Sequence, residues 1–135
     1  MDSYGRVAIS QVWEYGRPTI LVVEDEILVR MVIADRLREA NYKVIESSNG
    51  DQAIAVLRSD TKVHAVISDV RMPGSLDGIG LAKVVKSELP EVKIVLVSGH
   101  LRPLDHLVEL DGFFAKPYDV DRVIRHVQAL LQQEA

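Results

Sequence analysis

The chain has 135 residues, of which 47% are hydrophobic and 27% charged, and a formal net charge of −4. These values predict a single soluble globular domain. It contains no cysteine, which excludes disulfide bonds and thiolate metal sites. Its basic residues form no stripe for nucleic acid. No apolar stretch reaches the roughly 20 residues that span a bilayer, and the N-terminus lacks the apolar region of a signal peptide. We therefore expect a cytoplasmic protein that binds neither DNA nor membranes.

Residues 1–17 fit no strong pattern, and we treat them as an N-terminal extension of unknown role before a domain at 18–133. Residues 19–23 form a continuous apolar run, which is typical of a strand buried on both faces. The apolar residues that follow recur at the spacing of one helix face. They are Val29, Val32, Ile33, Leu37 and Ala40.

The same alternation continues along the chain. A short β-prone segment at 42–45 is followed by a turn at Asn49-Gly50 and a helix around 53–57. A third strand, 63–68, ends at Asp69, and a loop leads to a helix that stops near Pro90. A fourth strand is predicted at 92–97, a fifth at 113–115 and a last helix at 120–131.

Such β/α alternation predicts a parallel sheet with helices on both faces. Ligands of these sheets bind beyond the carboxyl ends of the strands. Four polar features of the chain lie at predicted strand ends. They are Glu24-Asp25-Glu26, Asp69, Ser98-Gly99 and Lys116-Pro117.

These side chains suit the phosphorylation of a carboxylate. Glu24, Asp25 and Asp69 offer the hard oxygen ligands that Mg²⁺ prefers. Lys116 could pair with Asp69 and then with a phosphoryl group as negative charge builds up. Ser98 offers a hydroxyl donor. Taken singly, each has a plain alternative: a solvated acidic turn, a capping aspartate, a surface lysine or a Ser-Gly turn.

Taken together, the strings resemble the receiver domain of bacterial two-component response regulators, in its stand-alone CheY-like form, over roughly residues 18–133. The matching strings are 20–26, Asn49-Gly50, 69–73 with Asp77-Gly78, 97–99 and 113–117. The resemblance implies a flavodoxin-like, doubly wound sheet of five parallel strands in the order 2-1-3-4-5, with helices on both faces.

The resemblance also implies a role for each site residue. Asp69 would accept the phosphoryl group, and Lys116 and Ser98 would contact it. Mg²⁺ or Mn²⁺ would be held by Glu24, Asp25, Asp69 and the backbone carbonyl of Arg71. Ser98 and Phe113 would form the conformational switch, although core packing alone could explain Phe113.

The expected partners are a sensor histidine kinase or a histidine phosphotransfer protein, and an unidentified downstream protein. The chain would not be an enzyme beyond accepting its own phosphoryl group and slowly losing it. Two alternatives remain open: a pseudo-receiver that works without phosphorylation, and a receiver excised from a hybrid kinase. An aspartate-nucleophile phosphatase is disfavoured because it would need a second acid two residues after the nucleophile, where this chain has Arg71. A flavodoxin is disfavoured because it would need a phosphate-binding loop after the first strand, where this chain has three acids.

Two intervals depart from the family pattern. The stretch between Pro73 and Asp77 is one residue longer than the commonest receiver loop. The interval from Ser98 to Lys116 is a few residues shorter than usual, which leaves residues 103–110 room for about two helical turns. We therefore expect a short or irregular fourth helix.

Overall fold

The computed structural model describes residues 16–99 and 108–132. Within these residues the chain forms five strands and four helices. In chain order they are β1 (Thr19–Val23), α1 (Ile27–Glu39), β2 (Lys43–Ser47), α2 (Gly50–Leu57), β3 (Ala65–Asp69), α3 (Gly78–Glu88), β4 (Lys93–Ser98), β5 (Gly112–Ala115) and α4 (Val120–Gln132). Most of the predicted extension at 1–17, and most of the fourth helix predicted within 103–110, lie outside the described residues.

The strands form one parallel sheet in the order β2-β1-β3-β4-β5. This confirms the predicted doubly wound fold and its strand order. The three central strands are buried almost throughout, because helices cover both faces of the sheet.

Alternate residues of the central strands serve two separate cores. Leu21, Val66 and Leu96 pack on one face with α2 and α3. Ile20, Ile67 and Val95 pack on the other face with α1 and α4. The period-two alternation of strand side chains explains this division.

Polar side chains fix where the helices begin. Asn49 caps α2 by accepting a hydrogen bond from the Gln52 N–H at 2.8 Å. Asp77 caps α3 by accepting one from the Gly80 N–H at 2.8 Å. These caps satisfy amide groups that the first helical turn leaves without partners.

Helix α1 ends in a left-handed turn at Asn41, whose φ is 76°. The Tyr42 N–H donates to the Leu37 carbonyl at 3.1 Å and the Asn41 N–H to the Arg38 carbonyl at 3.0 Å. This is a Schellman ending, and asparagine is one of the few residues besides glycine that tolerates its φ.

One predicted helix face was partly wrong. Ile33 and Leu37 are buried, but Val32 is 48% exposed. Adjacent helical residues point about 100° apart, so Val32 and Ile33 cannot share the centre of one face. None of the helices built from the described residues has both the length and the apolar character that crossing a membrane requires.

Candidate functional site

The polar strand ends predicted from the sequence come together at one edge of the sheet. Asp69 is in register with Val97 on β4, and Ser98 is in register with Ala115 on β5. Val23, which precedes the acidic triplet, is in register with Ser68 beside Asp69. The fold thus places the carboxylates, the hydroxyl and the lysine around the end of β3.

Asp69 is the central side chain of this edge and is 7% exposed. Its Oδ2 accepts a hydrogen bond from Lys116 Nζ at 3.0 Å, and the two groups form an ion pair. The Lys116 N–H donates to the Ser98 carbonyl at 2.6 Å, which ties the lysine to the end of β4. The peptide bond between Lys116 and Pro117 is cis.

The environment of Lys116 favours its charged form. Burial lowers the pKa of Lys116, but the hydrogen bond and charge of Asp69, with the charge of Glu24, outweigh this and raise it above its ordinary value. Lys116 is therefore a positioned cation in contact with Asp69.

Glu24, Asp25 and Asp69 form a carboxylate cluster in which one oxygen from each lies within 4.8 Å of the others. Glu24 is 1% exposed, whereas Asp25 faces solvent. Burial raises the pKa of Glu24 to about 7, and the negative charge of Asp69 acts in the same direction. The hydrogen bond from the Glu26 N–H acts in the opposite direction and lowers the pKa.

The two oxygens of Glu24 differ. Oε2 accepts the Glu26 N–H at 3.1 Å. Oε1 is buried and has no hydrogen-bond partner among residues 16–99 and 108–132. A buried oxygen without a partner is costly, and a divalent cation is the kind of group that removes this cost. The cluster fits a Mg²⁺-type ion in charge and ligand chemistry.

The main chain around Glu24 is held at several points. The Glu24 N–H donates to the Ser47 carbonyl at 3.0 Å, and the Glu24 carbonyl accepts from Arg30 Nη1 at 2.8 Å. Arg30 Nε in turn contacts Glu46 Oε1 at 3.1 Å. These contacts fix where the buried carboxylate stands relative to β2 and α1.

The loop after Asp69 is also fixed. The Val70 N–H donates to the Val97 carbonyl at 3.0 Å, and the Gly78 N–H donates to the Val70 carbonyl at 2.8 Å. Gly78 approaches Asp69 so closely that a Cβ there would lie 2.3 Å from the Asp69 carbonyl oxygen. Farther along the loop, Ser75 Oγ donates to Asp51 at the start of α2, 3.1 Å from its Oδ1.

The remaining predicted site residues take different positions. Ser98 is buried at the end of β4. Phe113 lies half-buried in β5 and packs on the core that α2 and α3 cover. The side chain of Arg71 is exposed on the loop after β3. The switch role of Ser98 and Phe113 and the ligand role of the Arg71 carbonyl stay predictions.

Tyr118 was not singled out from the sequence. Burial, together with the charge of Glu24, raises the pKa of its phenol, and Lys116 acts in the opposite direction. The phenol is therefore electrostatically part of this site. The signal that could have found it is its position two residues after Lys116.

Comparisons with known proteins agree with this arrangement. Residues 20–128 match the response regulator receiver domain family, and the chain belongs to that family. It is 40% identical to the two-component response regulator ORR3 of Oryza sativa over 82% of the chain and 90% of ORR3. The crystal structure of the Thermotoga maritima response regulator TrrA in complex with Mg²⁺-BeF superposes with a TM-score of 0.75. That likeness has 26% identity and covers 84% of this chain and 98% of TrrA.

The chain is also 31% identical to the transcriptional regulatory protein BaeR of Escherichia coli, over 86% of the chain. It spans only 49% of the length of BaeR. The matched family is that of receiver domains of response regulators.

Proposed function

We propose that this receiver accepts a phosphoryl group on Asp69 from a phosphohistidine of a sensor kinase or phosphotransfer protein. The observation that carries the proposal is the placement of Asp69. The Asp69 carboxylate is nearly buried, accepts a hydrogen bond from Lys116 Nζ at 3.0 Å and lies in a cluster with the carboxylates of Glu24 and Asp25. Signalling would then proceed through protein contacts made by the phosphorylated form.

Mg²⁺ or Mn²⁺ would be held by Glu24, Asp25 and Asp69, with the Arg71 carbonyl as a further ligand. When bound, the ion supplies positive charge that stabilises the equatorial phosphoryl oxygens. The unpartnered Oε1 of Glu24 and its raised pKa support this assignment. The complex of TrrA with Mg²⁺-BeF supports it by analogy.

The chain's own residues account for the rest of the reaction. A carboxylate oxygen of Asp69 attacks phosphorus and forms the new O–P bond, while the N–P bond of the donor breaks. The leaving imidazole keeps the electron pair of that bond and takes a proton from solvent. Lys116 is already in contact with Asp69, so it can neutralise the transferred group without reorganising.

The product carries about two negative charges where the carboxylate carried one, and it brings strong hydrogen-bond acceptors beside Ser98. A hydrogen bond from the Ser98 hydroxyl to the new phosphoryl group would draw the end of β4 toward Asp69. Phe113 on the adjacent strand would then repack inward. Because the phosphoryl group contacts the two arrangements differently, it would shift their populations. Catalysis would be limited to this self-phosphorylation and to slow hydrolysis of the product.

The test is incubation of the protein with Mg²⁺ and a small acyl-phosphate donor, followed by intact mass measurement. We expect one phosphoryl adduct in the wild type, none after Asp69→Asn and none when the metal is chelated. Asp60→Asn, at an exposed aspartate on the opposite end of the sheet, is the matched control and should keep the adduct. An adduct that survives Asp69→Asn would contradict the proposal.

The same experiment distinguishes the proposed function from one of the two alternatives, the pseudo-receiver. A pseudo-receiver that binds partners without phosphorylation would show no adduct with either metal or with a phosphohistidine donor. Two features favour signalling by phosphorylation: the ion pair of Lys116 with Asp69, and the carboxylate cluster. A module that only binds partners needs neither feature.

A further inference from the structure

Arg30 on α1 makes two hydrogen bonds beside the carboxylate cluster, one to the main chain and one to a side chain. Its Nη1 donates to the Glu24 carbonyl at 2.8 Å, and its Nε donates to Glu46 Oε1 on β2 at 3.1 Å. The side chain of Arg30 is 15% exposed, against 47% for Arg38 farther along the helix, so its contacts are shielded from water and salt. Arg30 therefore joins three parts of the fold: α1, β2 and the connection that follows β1.

The carbonyl that Arg30 binds belongs to the peptide that links Glu24 to Asp25, two of the three carboxylates of the cluster. A peptide group is planar and turns as one unit, so a rotation of this plane would move Asp25 relative to Glu24. The preceding peptide is fixed separately, because the Glu24 N–H donates to the Ser47 carbonyl at 3.0 Å. The bond from Arg30 therefore fixes the plane on which the spacing of the two carboxylates depends.

The start of α1 differs from the starts of α2 and α3. Asn49 and Asp77 cap those two helices with their side chains. Glu26, which precedes α1, makes no capping hydrogen bond with its side chain within the described residues. Asp25 is exposed, so burial does not restrict its side chain. Arg30 fixes this connection from one turn inside the helix.

We propose that Arg30 is a positioning residue of the metal site and acts through the peptide between Glu24 and Asp25. A guanidinium group has no acceptor atom, so Arg30 cannot bind the ion itself. Its planar fork holds the peptide against Glu46, and Mg²⁺ tolerates little departure from its preferred ligand geometry. Residues that orient metal ligands typically change metal affinity by about 10- to 100-fold when they are replaced. This inference rests on the proposed function, because it assumes that the carboxylate cluster binds Mg²⁺.

The sign of the effect distinguishes positioning from simple electrostatics. A positive charge beside a cation site opposes the binding of the cation. Loss of the Arg30 charge alone would therefore strengthen Mg²⁺ binding, whereas loss of the fixed peptide would weaken it. Because the two contributions have opposite signs, the direction of the measured change shows which one is larger.

The experiment is calorimetric titration of the full chain with Mg²⁺ at one pH, for the wild type and for variants whose circular dichroism shows that they are folded. Arg30→Met should raise the Mg²⁺ dissociation constant about tenfold, because both hydrogen bonds are lost. Arg30→Lys keeps the positive charge but lacks the fork that reaches two acceptors, so it should raise the constant about threefold. If Arg30→Met does not fold, Arg30→Lys decides the question, because its charge is that of the wild type.

The matched control is Arg38→Met. Arg38 lies on the same helix and pairs with the same Glu46 at 3.1 Å, but it is half-exposed and its other ion pair is with Asp35. The substitution removes the same charge from α1 and leaves the bond from Arg30 to the Glu24 carbonyl in place. The Mg²⁺ dissociation constant should stay within about twofold of the wild type, because an exposed charge is screened.

A second readout separates positioning from a general loss of stability. The Mg²⁺ concentration that gives half-maximal phosphorylation by a small donor should rise in Arg30→Met by the same factor as the dissociation constant. The maximal rate should fall by less, because the contact between Lys116 and Asp69 does not involve Arg30. A role in stability alone would lower resistance to urea and leave both Mg²⁺ constants unchanged.

Unchanged or tighter Mg²⁺ binding by Arg30→Met, or wild-type binding by Arg30→Lys, would overturn the inference and leave the proposed metal site intact. Equal weakening by Arg30→Met and Arg38→Met would also overturn it, since the effect would then come from Glu46 or from the helix as a whole. A wild-type protein that binds no Mg²⁺ would remove the proposed metal site, and the role of Arg30 with it.

Discussion

Glu24 combines two properties that rarely persist together, because its side chain is buried and one of its oxygens has no partner among the described residues. Its pKa of about 7 lies well above the ordinary 4.5. The folded protein therefore holds this proton more tightly than the unfolded chain between these two values. By linkage, the free energy of unfolding falls as pH rises from about 4.5 to about 7.

A first prediction follows for the metal-free protein. Deprotonation of Glu24 alone should lower the free energy of unfolding by up to about 3 kcal/mol as pH rises from about 4.5 to about 7. Glu24→Gln should remove most of this slope, because glutamine does not titrate. The measurement is urea unfolding with a chelator at several pH values. A slope that is the same in the wild type and in Glu24→Gln would contradict the assignment.

Bound Mg²⁺ should oppose this fall in the free energy of unfolding at high pH. Mg²⁺ binds the deprotonated carboxylate, so millimolar Mg²⁺ should raise the melting temperature more at about pH 8 than at about pH 6. Glu24→Gln should lose most of the difference between the two pH values. Equal stabilisation at both pH values would mean that Glu24 does not take part in binding the ion.

Lys116 offers a second test at a single side chain. Lys116→Met should slow phosphorylation by a small donor by at least about 100-fold, because the charge that meets the transferred group is lost. It should also cost about 1–3 kcal/mol above pH 7, since Asp69 and Glu24 lose their cation.

The matched control is Lys86→Met. Lys86 forms a comparably buried ion pair with Asp111 at 3.0 Å. This pair lies where β4 and β5 begin, at the end of the sheet opposite the site. This variant should lose similar stability and keep the phosphorylation rate. If both variants slow phosphorylation equally, the role of Lys116 is structural and not chemical.

Among the helices and strands, the junction between β3 and α3 does most to position the site. Gly78 opens α3 directly against the backbone of Asp69 and Val70. A Cβ at this position would lie 2.3 Å from the Asp69 carbonyl oxygen and 2.8 Å from Val70 Cα. Both neighbours are backbone atoms, so neither can move aside without displacing the acceptor.

Gly78→Ala should therefore destabilise the protein by about 2–4 kcal/mol and reduce phosphorylation in the fraction that stays folded. Gly99→Ala is the control for stability alone, because an added Cβ there meets nothing within 4 Å. Denaturant unfolding and the intact-mass assay check the two effects. Equal stability of the two variants would show that the junction relaxes easily.

Sequence reasoning predicted the order and type of these elements because each central strand is a continuous apolar run. It was less accurate at their limits. Val63 is buried but precedes β3, which begins at Ala65, since apolarity alone does not show where pairing begins. It also assigned Val32 to the buried face, because spacing alone could not distinguish the buried apolar residues of α1 from the exposed ones.

At the scale of the whole described structure, residues 16–99 and 108–132 form one sheet between two cores, and both cores include residues of the same central strands. Such an arrangement should unfold in a single cooperative transition. Leu81→Ala in one core should cost about 2–5 kcal/mol, and Val127→Ala in the other somewhat less. Unfolding followed by far-ultraviolet circular dichroism and tyrosine fluorescence should coincide in both variants. Separate transitions for the two probes would show that the cores are independent.

The convergence of the polar strand ends was predictable from the β/α alternation of the sequence. The strand order was predictable only through the resemblance of its motifs to receiver domains. The unpartnered Glu24 oxygen, the position of Tyr118 and the exposed side of α1 were not predictable. These properties depend on which atoms face each other across elements that are distant in sequence, and local patterns contain no record of that.

The central claim is that the acceptor is Asp69 itself, and covalent trapping tests it most directly. The protein is treated with Mg²⁺ and a small acyl-phosphate donor, then with borohydride, which reduces an aspartyl phosphate to homoserine, and each peptide is sequenced by tandem mass spectrometry. We predict homoserine at position 69, dependent on Mg²⁺ and absent elsewhere. Homoserine at Asp25 or another acid, or none at position 69 in protein that carries the phosphoryl adduct, would contradict the account.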